Sequence, residues 1–360
     1  MENDYSKKLA FYESNEQLYN EQKKQFQKKL WIIAICRLLA FSATLVGFLL
    51  SINKPSNWLL FTAIAFLALF IFLVNLYQKY QQTKDHLAEL EAINQREKQA
   101  IQGDYSSFEE GKEWIDKDHP YSFDLDLFGK DSVFQMIIRH ASAKGYDLLA
   151  QMLLSPLTEE SAIKTRQKSI KELAEKVKWR QSFLATGLRL KASHEDEQHI
   201  FTWLSHAPYF SKAPFYRIIR WILPLTTLFI LILFILNAAW FPALIILILT
   251  NLGVSHLELK RMNQLEVTTE ASLKTFGKYQ YLLKSIEDEN FIDKELKDFQ
   301  NRLYLNQVPA SKLVRKLANR LKQYSYKNNL FISVILNGLF CWTLHTLIRL
   351  ETWKHNYGAY

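Results

Sequence analysis

The stretch HEDEQH at 194–199 comes close to a zinc signature, with an acid between two histidines. Its histidines are five residues apart, where H-E-x-x-H has four. Five residues turn an α-helix by about 500°, so His194 and His199 point some 140° apart and cannot readily share one metal. They read as a solvated helical face. The pair Asp124 and Asp126 in DLD lies on one side of an extended segment, where a general acid and base could work together. A loop role ahead of Gly129 suits them better. His345 falls on an apolar helix, where an imidazole is usually a satisfied core group. The two cysteines, Cys36 and Cys341, lie far apart in apolar stretches and read as packing residues of a reducing compartment. No catalytic, cofactor-binding or metal-binding residue is therefore assigned.

ATP chemistry of the P-loop kind is not encoded in these 360 residues. A phosphate cradle needs G-x-x-x-x-G-K-[ST], whose backbone N–H groups wrap the anion. Only Gly111, Gly129 and Gly277 precede a lysine, and five positions earlier stand Ser106, Asp124 and Ser272. No cofactor is expected on this chain; ATP and magnesium enter only if an ATPase domain is supplied.

What these residues sit on is dominated by apolar runs. Hydrophobic residues make up 49% and charged residues 22%, ordinary values. Their distribution is segregated, as in a membrane protein with a large aqueous part. The runs 31–51 and 58–77 each have the ~20 residues that cross the ~30 Å hydrocarbon core as a helix. SINKPSN (51–57) turns between them, giving a first transmembrane hairpin at 31–77. A signal peptide fits poorly, since a second span follows at once. Arg37, less than two turns into the first run, can snorkel to the headgroups. Asn75 is the other polar residue there, too little to suggest a transport pathway.

A third run begins near Ile218, with the core LTTLFILILFIL at 225–236. Its ten Leu, Ile and Phe residues favour insertion by roughly 3–6 kcal/mol. NAAWFP interrupts it, and PALIILILTNLGV follows, continuing into HLELKR. A second hairpin at 218–255 is the economical reading, and one span plus a re-entrant segment is the rival. Lysines and arginines flank the outer ends of both hairpins: Lys23, Lys24, Lys28, Lys29, Lys79, Lys84, Lys212, Arg217, Arg220, Lys260 and Arg261. The turns hold only Lys54. Both hairpins are thus expected to enter from the cytoplasmic side of an inner or plasma membrane. These flanks account for much of the net charge of +9, which weakens an argument from charge to nucleic acid.

The remainder reads as helical: 1–30 as a cytoplasmic N-terminal segment, 78–118 as a helical connector with the stripe Leu87, Leu90, Ile93 and Ile101, then 119–217 and 256–360. In the first of these last two, Ser132 and Gln135 form a capping box. Val133, Phe134, Ile137, Ile138 and Ala141 make one apolar face, and Gly145 is expected to end that helix in the left-handed conformation. A helix through LLAQMLL stops at Ser155-Pro156, and Thr158 caps another bearing Ile163, Ile170, Leu173 and Val177. Further helices are expected over 195–206, 257–288, 293–303, 311–323 and 328–349. The last is read as a buried helix of the aqueous module, the alternative being a fifth span. No alternating strand pattern or Asn-Gly hairpin turn is evident. The fold class is all-α.

The order HPYSFDLDLFGKDSVFQMI, Gly145, LLAQMLLSPL, Ile163, Arg166-Gln167 and WRQSF resembles the start of the core, or lever, domain of the DNA mismatch repair protein MutS family. VPASKLVRKLANRL and 328–354 resemble its returning helices, so the likeness covers 119–205 and 256–354, in a membrane-anchored form. The chain departs from the family at 142–147. It also has a membrane hairpin where the family's levers reach a DNA clamp. The resemblance implies a lever module that couples an ATPase domain, absent from these residues, to membrane or DNA partners, in a family of DNA-dependent ATPases. Expected partners are the lipid bilayer, an ATPase domain or a second copy, and DNA; no small-molecule substrate is implied. Either the reading frame is truncated or the ATPase is a separate chain. The other reading is a non-catalytic membrane scaffold whose helices, some paired as coiled coils, bind proteins and no nucleic acid.

Overall fold

A computed structural model describes residues 2–53, 57–189, 213–262 and 270–358. Helices dominate them. The helix expected over 195–206 and the pair His194 and His199 lie outside the described residues. The chain divides into two compact units. One comprises residues up to Lys164 with Leu173–Arg189, and the other comprises Thr165–Glu172 with the residues beyond Arg189.

The first unit is built on two long helices, α1 (Glu2–Asn53) and α2 (Asn57–Ile101). They are antiparallel and pack along their length. The N-terminal segment joins the membrane run in one continuous helix, because nothing in 2–30 breaks it. Leu30, Ile33, Ala40 and Ala63 are buried in the seam, and Gly47 lets α1 close on Ala63. Outside the membrane run the seam is tied by Lys98 Nζ to Glu16 Oε2 at 2.8 Å, by Lys23 with Glu91, and by an edge-to-face contact of Phe26 with Tyr80 at 5.6 Å. The outward faces are apolar. Trp31, Leu38, Leu39, Phe61 and Phe72 are all largely exposed. Such surface is stable only against lipid or another apolar partner. Arg37 places its guanidinium carbon 4.9 Å from the Tyr77 ring centroid, a cation–π contact that compensates its charge inside the run.

Gly103, at φ +88°, terminates α2. A small aromatic core follows, with Leu127, Phe128, Phe134, Ile138 and Ala150 at its centre. Here the opening motif is partly as expected. Ser132 Oγ accepts the Gln135 N–H at 3.2 Å, but Gln135 Oε1 accepts from Asp131, one residue before the cap. The helix α3 is short (Val133–Ile137), and Val133 and Ile137 are exposed rather than on the buried face. Gly145 does not end it. It lies in the first turn of α4 (Ala143–Leu154), where its N–H donates to the Ser142 cap at 3.2 Å. The serine before the glycine competes for it: an N-cap needs a free N–H two or three residues on, and Gly145 supplies one. The C-terminal end of α4 is at Ser155, as read, and its last carbonyls are met by Tyr121 Oη at 2.8 and 2.7 Å.

Helix α5 (Glu160–Glu175) starts without a side-chain cap, so Thr158 does not cap it. Ile170 is exposed and Ser169 takes the buried position. Ser169 donates to Asp293, and Glu172 accepts the Ile292 and Asp293 N–H groups at 2.9 and 2.6 Å. Polar contacts, not the apolar stripe, decide its facing. Helix α6 (Val177–Arg189) begins after a break at Lys176, so Val177 does not extend α5.

In the second unit α7 (Pro214–Leu236) and α8 (Phe241–Met262) form a hairpin around a 3-10 turn at Ala238–Trp240, capped by Asn237. The stretch Ala238–His256 is long and apolar enough to cross a membrane, as are α1, α2 and α7. A helical fourth run therefore fits without a re-entrant segment. Then come α9 (Glu270–Glu287), α10 (Lys294–Asn301), a two-stranded ribbon β1 (Tyr304–Leu305) and β2 (Val308–Pro309), and α11 (Ala310–Ser325). The ribbon is an element the sequence did not signal, since its turn is not Asn-Gly and its strands have two residues each. Asn306 and Gln307 both have positive φ, as a two-residue turn requires, although Gln is a poor signal for it.

The expected single helix over 328–349 is two. Helix α12 (Leu330–Phe340) and α13 (Trp342–Tyr357) meet at 84°. Cys341 stands at the break with φ +46°, not inside a helix. Helix α13 is buried as expected, its Leu344, Leu347, Ile348, Leu350 and Trp353 packing with Phe276, Leu317, Leu321 and Tyr324. Helix α12 instead exposes Leu330, Phe331 and Ile335.

Gly187 of α6 lies against the backbone of Ala141, in the bend between α3 and α4. A Cβ there would stand 2.4 Å from the Ala141 carbonyl oxygen, which is backbone and cannot swing aside. Gly187→Ala is expected to loosen α6 by about 1–3 kcal/mol, measured as faster amide hydrogen exchange across 177–189 in the full chain.

Candidate functional site

The arrangement that bears on function is the set of joints where the long apolar helices meet the elements packed on them. In the first unit the joint is α2 against α6. Leu87, Leu90 and Ile93, the stripe legible in the sequence, pack with Ala185. Within that apolar contact Asn94 is fully buried. Its Nδ2 donates to the Leu90 carbonyl at 2.7 Å and its Oδ1 accepts from Gln181 Nε2 at 3.0 Å. A buried amide must be paired or it costs about 1–3 kcal/mol, so the Asn94–Gln181 pair fixes the axial register of the two helices. Ser182 Oγ lies 3.3 Å from His86 Nε2, and Arg189 donates to the Gln82 carbonyl at 3.2 Å. The segment WRQSF thus delivers two consecutive polar side chains, Gln181 and Ser182, onto the rod.

The aromatic module is fastened to the same rod. Arg139 forks onto the Glu97 carboxylate, with Nη2 to Oε2 at 3.1 Å, and its guanidinium carbon lies 3.5 Å over the Phe108 ring. Gln135 Nε2 donates to the Phe108 carbonyl at 3.0 Å. The planar fork that also stacks is a geometry only arginine provides.

In the second unit the joint is inside the hairpin. Asn251, fully buried on α8, donates to Thr227 Oγ1 of α7 at 2.9 Å and to the Gly338 carbonyl of α12 at 2.7 Å. Its Oδ1 faces Cys341 Sγ at 3.3 Å. Asn337 Oδ1 accepts the Thr343 N–H at 2.8 Å, capping α13 across the break. The two asparagines hold the bend: one satisfies the last carbonyls of α12, the other an orphan N–H of α13. Asn337 stood out in the sequence only as a polar residue of an apolar run. Asn251 had no distinguishing signal.

The other sequence candidates are not brought together. Asp126 has φ +49° in a turn, where its carbonyl meets the Val133 N–H at 3.3 Å, and both it and Asp124 are exposed. They are not side by side on an extended strand. Asn75 is exposed, and His345 stacks edge-to-face on Trp221 at 5.3 Å. Among the described residues no three His, Cys, Asp or Glu side chains gather as metal ligands would.

Two outcomes are expected. Burial, and then the Arg189 charge, hold the His86 imidazole below its ordinary 6.5. The folded state therefore binds fewer protons than the unfolded one just below pH 6.5. Docking of α6 is at full strength above that pH and weakens as the pH falls towards the depressed value. Hydrogen exchange of α6 should follow this profile in the native chain and lose it in His86→Gln. Asn251→Leu should cost the hairpin about 1–2 kcal/mol. In a Cys36→Ser background, alkylation of Cys341 by a small maleimide should then run about tenfold faster.

No family model, curated protein or solved structure matches the chain.

Proposed function

We propose that the chain is a membrane-anchored, MutS-like lever module. It would couple an ATPase domain, supplied by another chain or by a longer reading frame, to membrane or DNA partners. The observation that carries this reading is the course of α2. It is unbroken from Asn57 to Ile101, about 67 Å at 1.5 Å per residue. It begins in an apolar run and ends locked to the residues that bear the resemblance. Gln181 and Ser182 of WRQSF grip it through Asn94 and His86, and the SVFQMI module grips it through Arg139 and Glu97. A helix held at both kinds of contact transmits displacement instead of absorbing it. The bulk of the chain is taken to be cytoplasmic, from the placement of Lys and Arg. Mismatch repair is the process the resemblance implies.

The full chain in nanodiscs tests this. It is expected to hydrolyse no ATP and to bind DNA with an affinity that falls steeply with salt, as phosphate contacts require. Absence of DNA binding even at low salt favours a non-catalytic scaffold with protein partners. ATP hydrolysis by this chain alone rules out a motor held elsewhere.

A further inference from the structure

A group of cations gathers at the foot of the second hairpin, and among the described residues the charges acting on Arg220, Arg320 and His345 include no carboxylate. Arg217 and Arg220 occupy the first two turns of α7, just before its uninterrupted apolar stretch from Leu225. Arg349 and His345 come from α13, and Arg320 from α11. The Arg320 guanidinium donates to the main-chain carbonyl of Arg349, which ties α11 to α13 at this point. The His345 ring rests on Trp221. The charges that act on Arg220 are those of Arg217 and Arg349; on Arg320, those of Arg349 and the Tyr357 phenol; on His345, those of Arg220 and Arg349. Glu351, the nearest acid in sequence, acts on Lys354. Arg220 Nε is buried with no hydrogen-bond partner.

Arg220 lies over the Trp221 ring at 5.6 Å, yet among the described residues the four guanidiniums act on one another with no carboxylate between them, a site that an anion would complete. A buried donor lacking an acceptor costs stability, and mutual repulsion adds to it. One anion with several oxygens relieves both. The position decides its kind. Ile218, Trp221, Ile222 and Leu225 on the same helix are exposed apolar side chains, so the cluster lies where hydrocarbon gives way to headgroups. Guanidinium forks match phosphate oxygens two at a time.

We propose that Arg217, Arg220, Arg320 and Arg349 form a binding site for the phosphate of one anionic phospholipid headgroup at the water-facing end of the second hairpin. The headgroup neutralises the cluster and clamps α7 to α11 and α13. The site thereby makes the packing of the aqueous helices on the hairpin depend on lipid composition. It requires this hairpin to lie in a membrane and is independent of any likeness to MutS.

The test is native mass spectrometry of the full chain in mild detergent with mixtures of phosphatidylcholine and phosphatidylglycerol. The wild type should retain phosphatidylglycerol in preference. R217Q/R349Q changes two exposed side chains, so the fold should survive, as circular dichroism would verify. It should lower that preference about tenfold or more, at about 1 kcal/mol per basic residue. K28Q/K29Q, at the other hairpin, should leave it unchanged. Displacement of the retained lipid by millimolar inorganic phosphate supports phosphate recognition. Equal retention of the two lipids by the wild type, or an unaltered preference in R217Q/R349Q, overturns the proposal. So does stabilisation of the wild type by inorganic phosphate without any lipid preference, which would make the ligand a soluble one.

Discussion

Backbone N–H and C=O groups in hydrocarbon have no water to bond, and a helix satisfies them internally. That constraint organises both units. It explains why four long helices present Leu, Ile, Phe and Trp outward. It also explains how α1 and α2 run on into the aqueous part: an already nucleated helix extends at little cost where no residue stops it. The apolar runs and the polar segments beyond them are then two ends of the same helices.

Apolar packing alone leaves helices free to slide and rotate, because one Leu-lined groove is much like the next. Register comes from a few buried polar groups. Asn94 with Gln181 sets α2 against α6, Asn251 sets α8 against α7 and α12, and Asn337 holds the turn into α13. Each has at least one partner on another element, so that hydrogen bond is lost if its neighbour shifts by a residue. The energies are modest, but the alternatives cost unpaired amides in apolar surroundings.

Surface charge divides along the same line. In the first unit several basic and acidic side chains beyond the apolar run are paired, as in Lys98 with Glu16 and Arg139 with Glu97. At the foot of the second hairpin no such pair involves the clustered arginines among the described residues; in the proposed lipid site a headgroup would supply the counter-charge there.

Periodicity and composition determined the helical class, the apolar runs, the stripe Leu87, Leu90 and Ile93, and the end of α4 at Ser155, since these depend on side chains a few positions apart. The same local reasoning misplaced Gly145, Thr158 and Ile170. It also joined α12 to α13 and passed over the Asn306-Gln307 turn. In each of these the deciding partner is tertiary or a competing cap. Ser142 takes the Gly145 N–H; Asp293 draws Ser169 inward in place of Ile170; Asn251 and Asn337 make a left-handed Cys341 tolerable. Which of several adjacent polar residues is buried, and against what, depends on groups brought near from far along the chain, and only the folded structure decides it.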